Sequence, residues 1–383
     1  MSVKIKVLHI IKTLNLGGAE VNLFNLVQVM DPNRFELHAA YSSGGELEDK
    51  FKNAGVKLFK FADHDYKVKS LASIGIVIRL AIYIWRNHID IVHTHTFSAQ
   101  LWGAAAAKLT GCKIVEHVHD FRYLEPEDFA RRRGFNNQYK FVHLFKNVSD
   151  KVVVLTRQNK EFLIKEKIYP ADKIREYQNG IPLDVSPTKT FGDDMSGVLG
   201  DDVKGVILTP IRLAPEKNVD LILRIAPEVI RQVPNAVFLI AGDGPLYQKT
   251  IDEIKKIGLV NNIKMIGYHS DIQGLLKSTD VFLLPSFLEL HSIAILEAMS
   301  MKVPVVISTD VGCNSEFIVD WQNGILLDPF KDEGWAEAII RLLNDSQLRR
   351  KIGENGYQTC LEKFNIKDAA RRLEDLYVEL TNV

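Results

Sequence analysis

Short apolar runs rich in Val and Ile alternate along the chain with longer stretches whose apolar positions recur at helical spacing, the pattern of a parallel sheet built from βαβ units. In the first half Ile5–Ile11, Phe35–Tyr41, Lys57–Lys60, Ile89–Thr94, Lys113–His117 and Lys151–Leu155 predict strands. Between them Glu20–Met30, Glu46–Ala54, Ile74–Asn87, Ala99–Leu109 and Arg157–Lys165 predict helices. Residues 186–202, rich in Pro, Gly, Ser, Thr and Asp, interrupt the alternation and read as a linker or surface loop. A second series follows, with strands predicted at Val206–Ile211, Ala236–Gly242, Ile263–Ile266, Val281–Leu284, Val305–Ser308 and Gly324–Leu327. Two such halves around a hinge predict an α/β protein whose ligands bind beyond the carboxyl ends of the strands. The expected domains are residues 1–185 and 203–365, with a helix in the tail 366–383, amphipathic over Lys367–Asn382, packing back on the first.

Charge refines this picture. The 383 residues carry 48 Lys and Arg against 48 Asp and Glu, a net of zero that argues against a globally basic nucleic-acid binder. The zero is unevenly made: residues 1–180 hold 27 basic and 19 acidic side chains, a net of +8, and the remainder a net of −8. A basic first half suits an anionic partner. Cys112, Cys313 and Cys360 are far apart and suggest neither a disulfide framework nor a zinc motif. The longest apolar stretch, Leu71 to Trp85, is broken by Arg79 and falls short of the roughly 20 residues that span a bilayer. The amino-terminal run has lysines inside it and no small-residue cleavage site, so it reads as a strand rather than a signal peptide. The expectation is a cytoplasmic protein, at most peripheral on the inner face of a membrane.

Four constellations carry candidate chemistry. Asn15-Leu16-Gly17-Gly18-Ala19-Glu20 follows a strand and opens a helix, where glycines and unpaired N–H groups suit either a phosphate or a structural turn; it is not a complete dinucleotide fingerprint. His93-Thr94-His95 and Glu116-His117-Val118-His119-Asp120 end two strands, and alternation puts each pair on one face. Zinc ligation, packing of strand-end histidines and a polar ligand site are all open there, although no water-activating zinc motif accompanies them. Arg212 and Lys217, in a loop before a helix, can clamp a diphosphate or simply sit in solvent. Lastly, Glu289 and Glu297 lie eight residues apart across a strand end and the next helix, a rise of roughly 12 Å if helical, suited to two ends of an extended ligand. Glu289 stands just before the amino-terminal N–H groups of that helix, near His291, Ser292 and Ile293.

In this order and at these intervals the constellations resemble the family-4 glycosyltransferases, which have the GT-B fold of two Rossmann-like domains facing a central cleft. The likeness runs from Gly17-Gly18-Ala19-Glu20 through Asp90-Ile91-Val92-His93-Thr94-His95 and His119-Asp120 to Asn179-Gly180-Ile181, Arg212 and Lys217. It continues with Gly242-Asp243-Gly244-Pro245, the Glu289 and Glu297 pair, Val311-Gly312 with Glu316, and Asn323-Gly324, covering nearly the whole chain. The resemblance implies a retaining transferase moving a sugar from a nucleotide-diphosphate donor, a UDP-sugar by family frequency, with no metal and no other cofactor. The implied acceptor is a glycan, a lipid-linked or a small molecule in bacterial-type glycan or cell-envelope biosynthesis.

By position, the resemblance has Arg212 and Lys217 hold the diphosphate and Glu297 bind the ribose hydroxyls. Glu289 contacts the donor sugar, and the amides of His291, Ser292 and Ile293 contact sugar and phosphate. Gly17, Gly18 and Gly242 line the donor, and His119 lies near the sugar's 6-position or the acceptor. Two departures stand out. Leu290 and Ser292 replace the small residues usual after the first glutamate, which bears on sugar identity, and Gly312-Cys313-Asn314-Ser315-Glu316 lacks the usual proline.

Phe121–Asn147, which contains Arg131-Arg132-Arg133 among aromatic residues, is the expected contact with an anionic membrane surface or a lipid-linked acceptor, with a solvated helix pair as the alternative. Nucleic acid is not expected as a partner, given the acidic second half. Rival activities are a sugar-nucleotide epimerase, a glycosyl phosphorylase and a non-catalytic nucleotide-sugar binding protein; a nicotinamide dehydrogenase is more distant still.

Overall fold

The computed structural model describes residues 4–62, 72–119, 146–183 and 203–381, and the chain divides into two compact units. Met1–Pro182 with Asn365–Val383 form the first and Leu183–Phe364 the second. The segment from Asp120 through residue 145, which holds nearly all of the expected membrane contact, lies outside the described residues, as does the whole linker at 186–202.

In the first unit the strands are β1 (Ile5–Ile10), β2 (Phe35–Tyr41), β3 (Lys57–Lys60), β4 (Ile91–Thr94), β5 (Lys113–Val118), β6 (Lys151–Val154) and β7 (Ile174–Glu176). They form one parallel sheet in the order β3-β2-β1-β4-β5-β6-β7. Helices α1 (Gly18–Val29), α2 (Glu48–Asn53), α3 (Ala72–Asn87), α4 (Phe97–Thr110) and α5 (Arg157–Lys165) connect them. The central strands are buried on both faces, as the β-branched runs require when helices cover a parallel sheet. Leu8, Ile10 and Val92 from the sheet pack with Leu80 and Ile84 of α3 and Trp102 of α4. Burial of each such side chain stabilises the unit by about 1.5–3 kcal/mol.

The second unit repeats the plan. Strands β8 (Gly205–Pro210), β9 (Ala236–Ala241), β10 (Ile263–Gly267), β11 (Val281–Leu284), β12 (Val305–Ser308) and β13 (Ile325–Leu327) are ordered β10-β9-β8-β11-β12-β13, all parallel. Its helices are α6 (Val219–Gln232), α7 (Tyr247–Lys256), α8 (Ile272–Lys277), α9 (Ile293–Ser300), α10 (Asn314–Phe317), α11 (Trp335–Asn344) and α12 (Ser346–Lys363). In both sheets the order reverses between the first and fourth strands, and that switch point is where such folds hold ligands.

The last helix, α13 (Ile366–Thr381), returns to the first unit. The Ile366 N–H donates to the Ile181 carbonyl at 3.1 Å, and a Cβ at Gly180 would come within 2.7 Å of the Ile366 Cα, so the Asn179-Gly180 pair admits the crossing. Further along, the Asp31 N–H donates to the Glu374 carboxylate at 2.8 Å. Among the described residues no helix is long and apolar enough to cross a membrane.

Candidate active site

At the switch point of the second unit, the loop after β8 carries Arg212 and ends in a 3-10 turn, Pro215–Lys217. Asn218 follows in the left-handed region at φ 53°, which asparagine tolerates better than most residues. Its amide donates to the carbonyls of Pro285 and Pro329 at 3.1 and 3.0 Å, tying this turn to the ends of β11 and β13. A backbone bond from Phe287 N–H to the Glu216 carbonyl, 2.8 Å, adds a second tie. Lys217 is thereby aimed at the loop after β11, where its Nζ donates to Glu289 Oε1 at 2.5 Å. Ser286 Oγ donates to the same oxygen at 2.8 Å. Glu289 is buried and Lys217 half-buried, while Oε2 takes no hydrogen bond among the described residues. Arg212 is exposed.

Two glycine loops set the backbone around these groups. A Cβ at Gly242, where φ is +152°, would lie 1.8 Å from the Ile211 carbonyl oxygen, so the loop after β9 can seat against the Arg212 loop only without a side chain. The Leu213 N–H, donating to Asp243 O at 2.9 Å, fixes that contact. Gly312, at φ +59°, likewise packs on the backbone of Glu289 and Leu290, whose carbonyl accepts from the Cys313 N–H at 3.0 Å. At the position of the missing proline, Ser315 Oγ accepts from the Asp310 N–H at 3.1 Å, and beside it the Asn314 amide donates to the Ser308 carbonyl at 2.9 Å. Leu290 itself is buried.

Helix α9 begins at Ile293 with Ser292 as its amino-terminal cap residue, and its first N–H groups have no partner inside the helix. The His291 imidazole is packed against Phe317 and Phe364, and burial lowers its pKa to about 3, so the backbone rather than the ring is what it offers a ligand. Glu297, half-buried in the second turn, has its carboxyl pushed up to about 7 by burial.

The switch point of the first unit is built from imidazoles. Register places His9 of β1 directly opposite His93 of β4, and alternation brings His95, His117 and His119 to the same face. His9 Nδ1 and His95 Nε2 share a hydrogen bond at 2.9 Å, and His95 Nδ1 and His119 Nε2 another at 3.3 Å. His93 Nδ1 bonds the Tyr377 hydroxyl of α13 at 2.5 Å. Because a neutral imidazole has one donor and one acceptor, the His9–His95–His119 chain must carry its protons in one common direction. Burial, reinforced by the neighbouring histidines, holds His93, His95 and His117 well below the usual imidazole range and His9 near about 3, with His38 as its second cause.

Nitrogen atoms of His9, His93 and His95, and of His95, His117 and His119, lie within 4.8 Å of one another. Within these groups the His9 ring is tilted by 37° from His93 and 34° from His95, and His95 by 39° from His117, while His93 and His95 (25°), His95 and His119 (26°) and His117 and His119 (26°) are stacked.

Gly17 caps α1, with Gly18 exposed as its first residue and nothing within 4 Å of where its Cβ would stand. Beside it, Thr13 Oγ1 donates to Glu20 Oε1 at 3.1 Å, and burial raises the Glu20 carboxyl. In sum, Lys217 and Glu289 are joined directly, Arg212 and Gly242 share one loop pair, and His119 ends a chain of histidines in the other unit. Sequence reasoning did not identify Ser286, His9 or Tyr377. His9 and Tyr377 are recognisable only once strand register and the return of α13 are known, and Ser286 only once the loop after β11 is seen to fold onto Glu289.

Comparison with known proteins agrees with this architecture. Residues 197–359 match the sequence family described as Glycosyl transferases group 1, and residues 16–185 that described as Glycosyltransferase Family 4. The UDP-Gal:alpha-D-GlcNAc-diphosphoundecaprenol alpha-1,3-galactosyltransferase of Escherichia coli is 26% identical over 98% of this chain and 97% of its own. A Campylobacter jejuni relative, GalNAc-alpha-(1->4)-GalNAc-alpha-(1->3)-diNAcBac-PP-undecaprenol alpha-1,4-N-acetyl-D-galactosaminyltransferase, is 24% identical over 98% and 99% of the two chains. Among solved structures, Anabaena Alr3699/HepE in complex with UDP and glucose shares the fold, with a TM-score of 0.82 at 21% identity, covering 97% of this chain and 99% of that one.

Proposed function

The chain belongs to glycosyltransferase family 4, enzymes of the hexosyltransferase type with the GT-B fold, and from that premise we propose that it transfers a sugar from a UDP-sugar, with retention and without a metal, to a lipid-linked or other glycan acceptor at the inner face of a membrane. The observation that carries the reading is the buried Glu289 carboxylate, held through one oxygen by Lys217 and Ser286 beside the amino terminus of α9. Its free oxygen suits a donor-sugar hydroxyl. The Lys217 ammonium, the exposed Arg212 and the first N–H groups of α9 supply positive charge for a diphosphate without further ions. Glu297 accepts from the ribose hydroxyls. The second unit is thus the donor side, and the basic first unit, with His119, the acceptor side.

In the transfer step the bond from the anomeric carbon to the diphosphate oxygen breaks as the bond to the acceptor oxygen forms on the same face. The acceptor proton passes to the leaving phosphate oxygen, and Glu289 orients the sugar rather than forming a covalent bond. The UDP donor is supported by the names of the Escherichia coli relative and the Anabaena complex, and the lipid-linked acceptor by the two undecaprenol-linked relatives. A thermal-shift and transfer screen with UDP-, GDP-, ADP- and dTDP-sugars in EDTA tests the reading, with proton NMR of the product reporting anomeric configuration. Stabilisation by UDP-sugars and a retained configuration are expected. Preference for another nucleotide, a requirement for added divalent cation, or inversion would overturn the corresponding part.

A further inference from the structure

Helix α3 breaks the rule that a helix on a globular surface is polar on its outer side. Its inner side buries Ile76, Leu80 and Ile84 in the core of the first unit. Its outer side is also apolar: Ile74 is 60% exposed, Ile78 50%, Ile82 45% and Trp85 71%. Positions 74, 78, 82 and 85 fall within about 80° of one another around the axis and extend roughly 16 Å along it, a single stripe. Scattered exposed apolar residues need no explanation, whereas contiguous ones mark a contact surface.

The charges name the occupant. From Ala72 to Asn87 the helix has no Asp or Glu, and its two charged residues, Arg79 and Arg86, are both exposed beside the stripe. Arg79 gives one N–H to the Lys60 carbonyl at 3.3 Å, which holds the guanidinium at the surface with other N–H groups to spare. An apolar stripe that ends in tryptophan and is edged by arginines matches a helix lying in the headgroup region, with isoleucines toward the acyl chains and guanidinium groups on phosphates. The run Leu71–Trp85 is too short to span a bilayer but long enough to lie in its surface.

We propose that the outer face of α3 docks this protein on a bilayer containing anionic phospholipids. The placement rests on the reading of a membrane-linked acceptor, and it assigns the contact to α3 rather than to the arginine run at 131–133.

The test is co-sedimentation of the full chain with vesicles of phosphatidylcholine, alone or mixed with phosphatidylglycerol, together with tryptophan emission. Of the four tryptophans Trp85 is the most exposed, Trp321 is half-buried and Trp102 and Trp335 are buried, so a blue shift and quenching by brominated lipid that disappear in Trp85→Glu report its insertion. Ile78→Glu and Trp85→Glu are each expected to lower partitioning at least tenfold, at positions exposed enough to leave melting unchanged. Arg79→Gln and Arg86→Gln should each lower it about fivefold on mixed vesicles only. Partitioning indifferent to Ile78→Glu and Trp85→Glu would overturn the proposal. So would binding lost only on charge reversal at Arg131, Arg132 and Arg133, or a dimer of this chain that the α3 substitutions dissociate. The UDP-induced thermal shift separates the two readings: it survives in every α3 variant if only the docking surface is wrong, and is absent from the parent protein if the donor assignment is wrong.

Discussion

The two units share a strand order and a switch point, yet fill that point with opposite chemistry. Between β8 and β11 stands a charged pair, Lys217 with Glu289, steadied by Ser286. Between β1 and β4 stand neutral imidazoles: His9 faces His93 across the ladder, and His95 and His119 extend the chain. Topology therefore chooses where a site can form and side chains choose what it binds. On the proposed reading a diphosphate needs formal charge close at hand, and the second unit has it within an acidic background. The first unit holds uncharged imidazoles instead, buried at His9, His93, His95 and His117 and half-buried at His119.

Removing charge from the second switch point should break the comparison most completely. Lys217→Ala and Glu289→Ala are each expected to lower kcat/KM by at least about 10²–10³-fold, with circular dichroism and melting close to the parent. Full activity in both variants would remove the site from the second unit altogether.

The next effect concerns acid. The unfolded chain protonates its histidines near the ordinary value, whereas His9, His93, His95 and His117 resist protonation while buried. Their folded-state pKa values are lowered, so the stability they contribute is present above about pH 6.5 and is lost as pH falls below it. For His9, held near about 3, the loss by about pH 5 is on the order of 2 kcal/mol. Hydrogen exchange should show β1, β4 and β5, which hold four such histidines or border them, opening before β8 and β11, since among the described residues of the second unit the one histidine so shifted is His291. Simultaneous opening of both sheets would contradict the contrast.

A smaller effect isolates Glu297. Its raised pKa means that in the ligand-free protein its share of stability is full below the ordinary carboxyl range and is lost as pH rises through about 7. Ribose hydroxyls donate to the carboxylate, so UDP affinity should instead rise with pH, by up to about tenfold per unit below pH 7. Calorimetric titration of the parent and of Glu297→Gln, which should show a flat profile, checks this.

Smallest is Gly18→Ala. The added Cβ meets nothing within 4 Å, so melting should move by no more than about 0.5 kcal/mol. A several-fold weaker UDP-sugar affinity would mark a phosphate contact at the start of α1, and no change would leave a structural turn.

Much of the fold was legible because buried β-branched runs have few alternatives. Phe35–Tyr41, Lys57–Lys60, Val281–Leu284 and Val305–Ser308 form strands over the ranges that the pattern predicts. Strand β7, Ile174-Arg175-Glu176, carries no such signal, being short, polar and at the sheet edge. Lys217 and Glu289 were legible as residue types in the right loops, but their contact, 72 positions apart in sequence, was not. His9 reads as one polar residue in an apolar strand until the ladder sets it against His93. For α3 the limit is physical: with isoleucines on two sides of the helix, spacing alone does not say which set faces water, and only packing against α4 and the sheet leaves Ile74, Ile78, Ile82 and Trp85 outside.

The sequence by itself determined the alternation of elements, the two halves with their opposite net charge, and the residue types at the strand ends. These follow from local periodicity and composition, which need no neighbours. The tertiary structure decided which side chains meet, because hydrogen bonds, burial and shifted pKa values depend on register across a ladder and on the return of α13. Those are distances through space, which spacing along the chain does not encode.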